Sequence, residues 1–291
     1  MASKALQGLR LAFVGSGTMA EAIIQALLRA GEVTPEQITA SGPRPERGED
    51  LIGRHGIGST TSNVAAVQEA DIVVLSVKPQ MLRRVLAEVS GHIRPDALLF
   101  SIVAGMPMSA IRAGSRHAAV VRTMPNTPAQ LGQGMTVWTA SPEVTEPQRV
   151  QAQAILQTMG QEMYVKDEDV LNMATAVSGT GPTYVFLLME ALVDAAVHLG
   201  FSRRQARQLV IQTVLGSALY AQQSDRHLAE LRNQVTSPGG TSAEAIYQLE
   251  KGGLRTILSK AIWAAYKKSR LLGEQAQEPM EGPLTVNGEP G

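Results

Sequence analysis

The sequence lacks cysteine, an excess of either charge and clustered histidines, and each absence excludes a class of function. Its 291 residues include no cysteine, so disulfides, thiol nucleophiles and thiolate metal sites are excluded. The 26 basic and 26 acidic residues cancel, which argues against a nucleic-acid partner or a membrane surface, because both favour a basic excess. The five histidines stand singly, without the spacing of metal ligands. We therefore expect no metal site.

Long apolar runs are also missing. No run reaches the roughly 18 residues of a membrane-spanning helix, and the N-terminal Met-Ala-Ser-Lys-Ala-Leu lacks the apolar core of a signal peptide. We therefore expect a cytoplasmic protein with no membrane partner. Apolar residues nevertheless make up 44% of the chain, enough for a sizeable core, and the length suits two domains.

Short apolar runs alternate with helical patterns over residues 1–165, as they do in βαβ units. The near-continuous apolar run Ile72–Val77 suits a parallel strand covered on both faces. The predicted strands are Leu9–Val14, Ile38–Ser41, Ile72–Val77, Ala97–Ile102, Ala119–Thr123 and Gly134–Thr139. The predicted helices between them are Met19–Ala30, Arg47–His55, Asn63–Glu69, Gln80–Ser90 and Pro147–Met159.

After Tyr164 the pattern predicts helices alone. They are Asp169–Ala176, Thr183–Leu199, Ser202–Gln222, Asp225–Val235, Ser242–Glu250 and Leu254–Leu272. Within Thr183–Leu199, Glu190, Asp194 and His198 form one polar stripe on an apolar helix. Such a helix must be buried, and in a small domain this suggests a second subunit. We predict an all-α dimerisation and substrate domain over 166–273 and a disordered, Pro- and Gly-rich tail over 274–291.

The strongest functional pattern is Gly15-x-Gly17-x-x-Ala20, which follows an apolar strand and opens a helix. Gly15 permits a tight turn, and Gly17 lets the backbone approach a pyrophosphate at the helix N-terminus. The pattern predicts dinucleotide binding and an α/β Rossmann domain with a doubly wound, mostly parallel sheet over residues 1–165.

The segment after the second strand indicates which dinucleotide binds. NAD sites usually have Asp or Glu there, whereas this chain has Ser41, Arg44 and Arg47. Arginine suits the 2′-phosphate of NADP. We therefore predict NADPH as cofactor, with NADH possible; the alternative is that these arginines are solvated loop residues.

Three further loops follow predicted strands, where ligands bind in such sheets. Ser76–Gln80 contains Lys78 next to Pro79 and is otherwise an ordinary turn. Ser101–Gly105 is built of small residues, which suit a flat nicotinamide ring or simply tight packing. Arg122–Pro128 includes Asn126, whose amide suits a carboxamide or a substrate.

In the helical half, Val235–Ser242 combines two glycines with the hydroxyls of Thr236, Ser237, Thr241 and Ser242. At a helix N-terminus these groups favour an anion of carboxylate size; a capped loop is the alternative. No acid–base or Ser/His/Asp arrangement is visible. The lack of such residues favours a reaction in which a cofactor does the chemistry and the protein positions the substrate. Reduction of an electrophilic C=N bond is a reaction of this kind.

Together these motifs resemble the pyrroline-5-carboxylate reductase family of proline biosynthesis. The resemblance covers residues 9–272, and the matching segments are Gly15–Ala20, Ser76–Gln80, Ser101–Gly105, Met124–Pro128, Val177–Tyr184 and Leu231–Gly240. It implies an oxidoreductase that reduces 1-pyrroline-5-carboxylate to L-proline with NAD(P)H. It also implies a homodimer that commonly assembles further into a decamer.

The resemblance also implies residue roles. The cofactor would contact Gly15, Ser16, Gly17, Thr18, Met19, Ala20, Ser41, Gly42, Arg44, Asn63, Val77, Lys78, Pro79, Ala104 and Asn126. The substrate would contact Glu168, Ser237, Gly239, Gly240, Thr241 and Ser242, with Ser242 as the catalytic hydroxyl near the ring nitrogen.

Three positions depart from the family pattern. Ser242 stands where Thr is most frequent; the hydroxyl is kept, but its rotamer is freer. Asp225 and Gln234 replace a frequent Glu and a frequent Asn or Asp, so neither is given a role. The alternatives are a reductase of a related substrate, such as pyrroline-2-carboxylate or a 3-hydroxy acid, and a non-catalytic NADP-binding sensor.

Overall fold

The computed structural model describes residues 4–277. This part of the chain divides into two compact units. The first comprises residues 4–175 and 266–277, and the second is Ala176–Ala265. Each is described by itself below.

The first unit is built on one eight-stranded sheet. Its strands are β1 (Leu11–Val14), β2 (Ile38–Ser41), β3 (Gly58–Thr60), β4 (Ile72–Leu75), β5 (Leu98–Ser101), β6 (Val120–Met124), β7 (Gly134–Ala140) and β8 (Gly160–Tyr164). Their order is β3-β2-β1-β4-β5-β6-β7-β8. All neighbouring pairs are parallel except β6 and β7. The order of the first six strands is that of the doubly wound Rossmann sheet, so the predicted fold is confirmed.

Helices cover both faces of this sheet. They are α1 (Thr18–Ala30), α2 (Pro45–His55), α3 (Asn63–Val67), α4 (Pro79–Val89), α5 (Met108–Ser115), α6 (Glu146–Gln157) and α7 (Val170–Ala174). Alternate residues of β1 enter two separate apolar cores. Leu11 and Phe13 pack on one side, and Ala12 and Val14 on the other. The apolar runs of the central strands therefore reflect burial on both faces.

Three elements of the first unit are absent from the sequence prediction. Strand β3 is three polar residues long, and β8 reads Gly-Gln-Glu-Met-Tyr. Both are edge strands with little of an apolar run. Helix α5 lies in a stretch to which the sequence analysis assigned no element. Beside β8, Trp138 of β7 is buried, donates a hydrogen bond to Glu162 at 2.5 Å and packs edge-on against Tyr164.

The second unit is helical, as predicted. A π-helical turn, Thr175–Gly179, leads into α8 (Gly181–His198), α9 (Arg203–Gln222), α10 (Leu228–Gln234), α11 (Thr241–Lys251) and the first turns of α12 (Leu254–Gln277). The end of α12 belongs to the first unit. This helix continues four residues into the segment predicted as a disordered tail; residues 278–291 lie outside the described residues.

Large apolar side chains of the second unit are exposed. Phe186 and Leu187 on α8 are 63% and 65% exposed, and Trp263 on α12 is 58% exposed. By length and composition alone, Val170–His198 would suffice to cross a membrane, although the sequence analysis expected no such helix. The polar stripe of Glu190, Asp194 and His198 runs along this helix.

Candidate cofactor and substrate sites

The turn between β1 and α1 requires glycine at its first position. Gly15 has φ +104°, and a Cβ there would lie 2.9 Å from the backbone carbonyl of Ser76. The Ser76 hydroxyl donates to the Gly15 carbonyl at 2.8 Å. Because glycine alone fits this contact, the turn after β1 is held directly against the loop after β4.

The N-terminus of α1 faces open space. Gly17 is the N-cap, no side chain caps the helix, and a Cβ on Gly17 would meet nothing within 4 Å. The first-turn N–H groups have no carbonyl within the helix to bond. This end of α1 can therefore receive a phosphate.

Arg47 belongs to an ion-pair cluster behind the glycine turn. Its guanidinium contacts Glu21 at 2.6 Å, and its Nε donates to the Ser16 carbonyl at 2.9 Å. Arg54 and His55 also contact Glu21, at 2.6 and 2.9 Å. Burial alone would raise the pKa of Glu21, but the hydrogen bonds from Arg47 and His55 and the charges of Arg47 and Arg54 outweigh it and hold the pKa below its ordinary value. Arg47 is thus engaged within the protein.

Arg44 differs from Arg47. It is the exposed N-cap residue of α2, and its carbonyl accepts from the Arg47 N–H at 3.2 Å. Its guanidinium has no hydrogen bond or ion pair within residues 4–277. Its guanidinium is therefore available to an anion at the rim of the glycine-turn cleft.

This cleft has a volume of about 440 Å³. Eight of the predicted cofactor residues line it: Gly15, Ser16, Gly17, Gly42, Arg44, Asn63, Val77 and Lys78. The lining also includes Pro43, Thr61, Ser76, Met81, Arg84, Val85 and Glu88, which were not among the predicted site residues. The last four lie on one face of α4, at the spacing expected of neighbours on a helix. The sequence alone could have shown that these four residues share one face, given a helix that begins at Pro79.

Asn63 lines the cleft, whereas Ser41 lies behind it and does not line the cleft. Ser41 is fully buried, and its hydroxyl donates to Asn63 Oδ1 at 2.7 Å. Asn63 Nδ2 donates to Glu88 at 3.0 Å. Ser41 therefore supports Asn63, while Asn63 itself reaches the cleft.

A second cavity, of about 250 Å³, brings Pro79 and Ala104 together. It also includes Gly105 and Met106 from the turn after β5, and Leu272 and Gln275 from the end of α12. This nicotinamide-side cavity, as we call it, joins two of the three loops predicted to bind the cofactor.

The remaining predicted cofactor residues lie outside both cavities. Thr18, Met19 and Ala20 form the first turn of α1, and Ala20 is fully buried. Asn126 follows β6, and its Oδ1 accepts a hydrogen bond from the Met135 N–H at 3.0 Å.

Glu168 and Arg122 form an ion pair at the end of β6. Arg122 Nη1 lies 2.6 Å from Glu168 Oε1, and the same oxygen accepts from the Met108 N–H at 2.6 Å. The Arg122 side chain is 5% exposed and that of Glu168 33%. The pair connects the start of α5 to the segment before α7.

The predicted carboxylate turn lies in the second unit, before α11. Gly239 has φ +69°, and the Gly240 N–H donates to the Ser237 carbonyl at 3.0 Å. Gly240 is the N-cap of α11, and no side chain caps the helix. A Cβ on Gly240 would collide with the Ser237 hydroxyl. The turn therefore leaves the N–H groups of Thr241 and Ser242 free for an anion.

The chain is similar to known proteins over most of its length. A family model described as pyrroline-5-carboxylate reductase dimerisation matches residues 168–272. The pyrroline-5-carboxylate reductase of Pseudomonas aeruginosa is 42% identical over 267 residues, which cover 91% of this chain and 97% of that protein. The chain belongs to the pyrroline-5-carboxylate reductase family. The Escherichia coli reductase is 35% identical over 266 residues, covering 91% of this reductase and 98% of that protein.

Further matches support both halves of the reductase. A family model described as NADP oxidoreductase, coenzyme F420-dependent, matches residues 10–105. A crystal structure of the Plasmodium falciparum pyrroline carboxylate reductase with NADP bound matches with a TM-score of 0.84 at 30% identity. It covers 92% of this chain and 99% of that one. The exposed apolar side chains of α8 lie within the segment matched by the dimerisation model, which explains their exposure in a single chain.

Proposed function

We propose that this reductase converts 1-pyrroline-5-carboxylate to L-proline with NADPH as reductant. The observation that carries the proposal is that α1 and α11, within residues 4–277, begin at glycine N-caps, Gly17 and Gly240, with no side-chain cap. The first suits a dinucleotide phosphate and the second an amino-acid carboxylate. Such a chain can bind a hydride donor and an imino acid.

The cofactor roles follow from the first unit. When bound, the reduced nicotinamide supplies the hydride that the C=N carbon of the imine accepts. The glycine turn holds the pyrophosphate, Arg44 pairs with the 2′-phosphate, and Ala104 packs against the nicotinamide. NADH fits the same cleft but leaves Arg44 without its anion.

The substrate roles follow from the turn before α11. Ser237, Gly239, Gly240 and Thr241 hold the substrate carboxylate, and the Ser242 hydroxyl hydrogen-bonds the ring nitrogen. Glu168 stays proposed as substrate-proximal, through Oε2, because Oε1 already accepts two hydrogen bonds. A cyclic imine can arrive protonated, so no strong general acid is required.

The proposal extends to assembly and location. The exposed apolar face of α8 supports a homodimer, and further assembly into a decamer is proposed by family likeness. A cytoplasmic location is proposed by the same family likeness. Light scattering of the purified protein would give the oligomer size.

NADPH oxidation at 340 nm tests the activity. We expect consumption with pyrroline-5-carboxylate and little with pyrroline-2-carboxylate or without substrate. A preference for pyrroline-2-carboxylate would identify the related imine reductase. Consumption with neither imine would favour the non-catalytic sensor.

Substitution of Ser242 tests the substrate turn. Ser242→Ala is expected to lower kcat/KM by about 10- to 100-fold, because the ring nitrogen of the substrate loses its hydrogen-bonding partner. Ser242→Thr keeps the hydroxyl and is the matched control, with activity close to wild type. Equal activity of all three proteins would remove Ser242 from the mechanism.

A further inference from the structure

The last turns of α12, which belong to the first unit, contact other parts of that unit before the helix reaches the nicotinamide-side cavity. Tyr266 donates a hydrogen bond to Asp169 at 3.1 Å, and Ser269 donates to Asn172 at 3.0 Å. Ser269 is only 3% exposed. The helix end is therefore held on the segment around α7 by two polar contacts.

Two glycines let the helix approach the turn after β5. A Cβ on Gly105, which has φ +70°, would lie 3.1 Å from Leu272 Cβ, and a Cβ on Gly273 would lie 3.2 Å from the Gly105 carbonyl oxygen. Gly273 stands inside a helix that continues to Gln277, where glycine is a poor helix former. A glycine in that position is explained by the close contact with Gly105.

The helix end also contacts α4, on the other side of the cavity. Arg83 donates to the Gln275 carbonyl at 3.1 Å. The cavity is thus bounded by Pro79 of α4, by Ala104 of the β5 loop and by Leu272 of α12. The described part of α12 contributes nothing to the lining of the glycine-turn cleft.

We propose that Leu272 forms the outer wall of the nicotinamide pocket, held there by the close approach of Gly273 to Gly105, and that both are positioning residues for the nicotinamide ring. This inference rests on the proposed contact between Ala104 and the nicotinamide. Because α12 borders only the nicotinamide-side cavity, its end acts on the nicotinamide half of the cofactor and leaves the adenosine half unaffected.

Calorimetric titration with two probes tests the wall. NADP⁺ carries both halves of the cofactor, whereas 2′,5′-ADP carries only the adenosine half with its 2′-phosphate. Leu272→Ala is expected to raise the Kd for NADP⁺ by about 5-fold, since apolar contact with the ring is lost, and to leave the Kd for 2′,5′-ADP unchanged. Gly273→Ala, which presses on Gly105, is expected to show the same selectivity.

Leu271→Ala is the matched control, because Leu271 is the exposed neighbour of Leu272 and does not line the cavity. It should leave both Kd values unchanged. Unchanged NADP⁺ binding by Leu272→Ala and Gly273→Ala would overturn the proposal, and so would equal weakening of both probes.

Ala104→Val separates this inference from the proposed nicotinamide contact. Suppose that Ala104→Val raises the Kd for NADP⁺ but not for 2′,5′-ADP, while the α12 variants bind both as wild type does. The proposed role of α12 is then wrong, and the proposed contact between Ala104 and the nicotinamide stands. If Ala104→Val leaves NADP⁺ binding unchanged, the nicotinamide contact itself is wrong and the wall with it.

Discussion

The two units differ in where their apolar side chains lie. The first contains fully buried large residues such as Phe13, Phe100 and Trp138. Within Ala176–Ala265, the buried apolar residues are few and mostly small: Ala176, Ala206, Val210 and Leu231. Burial of apolar surface is the main driving force of folding. The first unit can therefore be stabilised by its own core, whereas the second depends on a partner chain.

The largest expected effect comes from charging the exposed face of α8. Phe186→Glu should prevent dimerisation and abolish activity, because a carboxylate cannot be buried in an apolar interface. Binding of 2′,5′-ADP should persist, since the first unit keeps its core. Size-exclusion chromatography with light scattering and calorimetry would measure the two properties.

Leu131→Glu is the control for this comparison. Leu131 is 75% exposed, but it lies in the first unit. The same charge there should leave assembly and activity unchanged. A dimeric, active Phe186→Glu protein would show that this face of α8 is not at the interface.

The next largest effect concerns the ion pair within the first unit. Glu168→Gln leaves the buried Arg122 without its counter-charge, which costs about 3–5 kcal/mol in a fully buried pair. Because Glu168 is one-third exposed, we expect a loss of about 2 kcal/mol in the free energy of unfolding. The difference in free energy between this variant and wild type should be the same at each protein concentration, because Arg122 and Glu168 lie within one unit of one chain. Denaturant unfolding of both proteins at two concentrations would show a concentration dependence of this difference if the expectation is wrong.

Arg44 tests cofactor choice within the first unit. Arg44→Ala should lower kcat/KM for NADPH by about 10-fold or more, the loss of a charge-assisted contact, and leave kcat/KM for NADH almost unchanged. Arg116→Ala is the control, because Arg116 is exposed at the end of α5 and does not line the cleft. Equal losses with both cofactors would show that Arg44 does not contact the 2′-phosphate.

The smallest expected effect is the acid sensitivity of the first unit. The pKa of Glu21 is lowered in the folded protein. The ionised Glu21 therefore stabilises the protein above the unfolded pKa of about 4.3. This stabilisation is lost as pH falls through the lower pKa of the folded state. Glu21→Gln should cost about 1 kcal/mol at pH 7 and flatten the decline in stability below pH 4.3. Glu49→Gln on α2 is the control at pH 7, because Glu49 is an exposed carboxylate with no ion pair in the described chain, and it should keep the stability of the wild type at that pH.

The sequence predicted those strands whose burial requires a run of apolar residues. Central strands such as β1 and β4 are buried on both faces, so their apolar runs are nearly continuous. Edge strands β3 and β8 are held by backbone hydrogen bonds to one neighbour, and their side chains carry little apolar pattern. Their pairing depends on contacts distant in sequence, which no local pattern encodes.

The residues of the candidate sites also fall into those that the sequence predicts and those that it does not. Gly15, Gly17 and Arg44 were predictable because turn geometry and charge act locally. Arg84 and Glu88 reach the cleft only through the orientation of α4, and Leu272 reaches the nicotinamide-side cavity only because α12 returns to the first unit. Those placements arise from packing, which the sequence does not display.

The two tryptophans of the chain are divided between the units. Trp138 is enclosed in the sheet and Trp263 is largely exposed on α12. In a single chain their fluorescence should therefore separate by wavelength, with a blue emission from the enclosed indole and a red, iodide-quenchable emission from the exposed one. A partner chain that covers Trp263 would shift only the second emission. Because the protein has no other tryptophan, the fluorescence of each indole reports on one unit. A change in one unit can therefore be followed while the emission from the other stays constant.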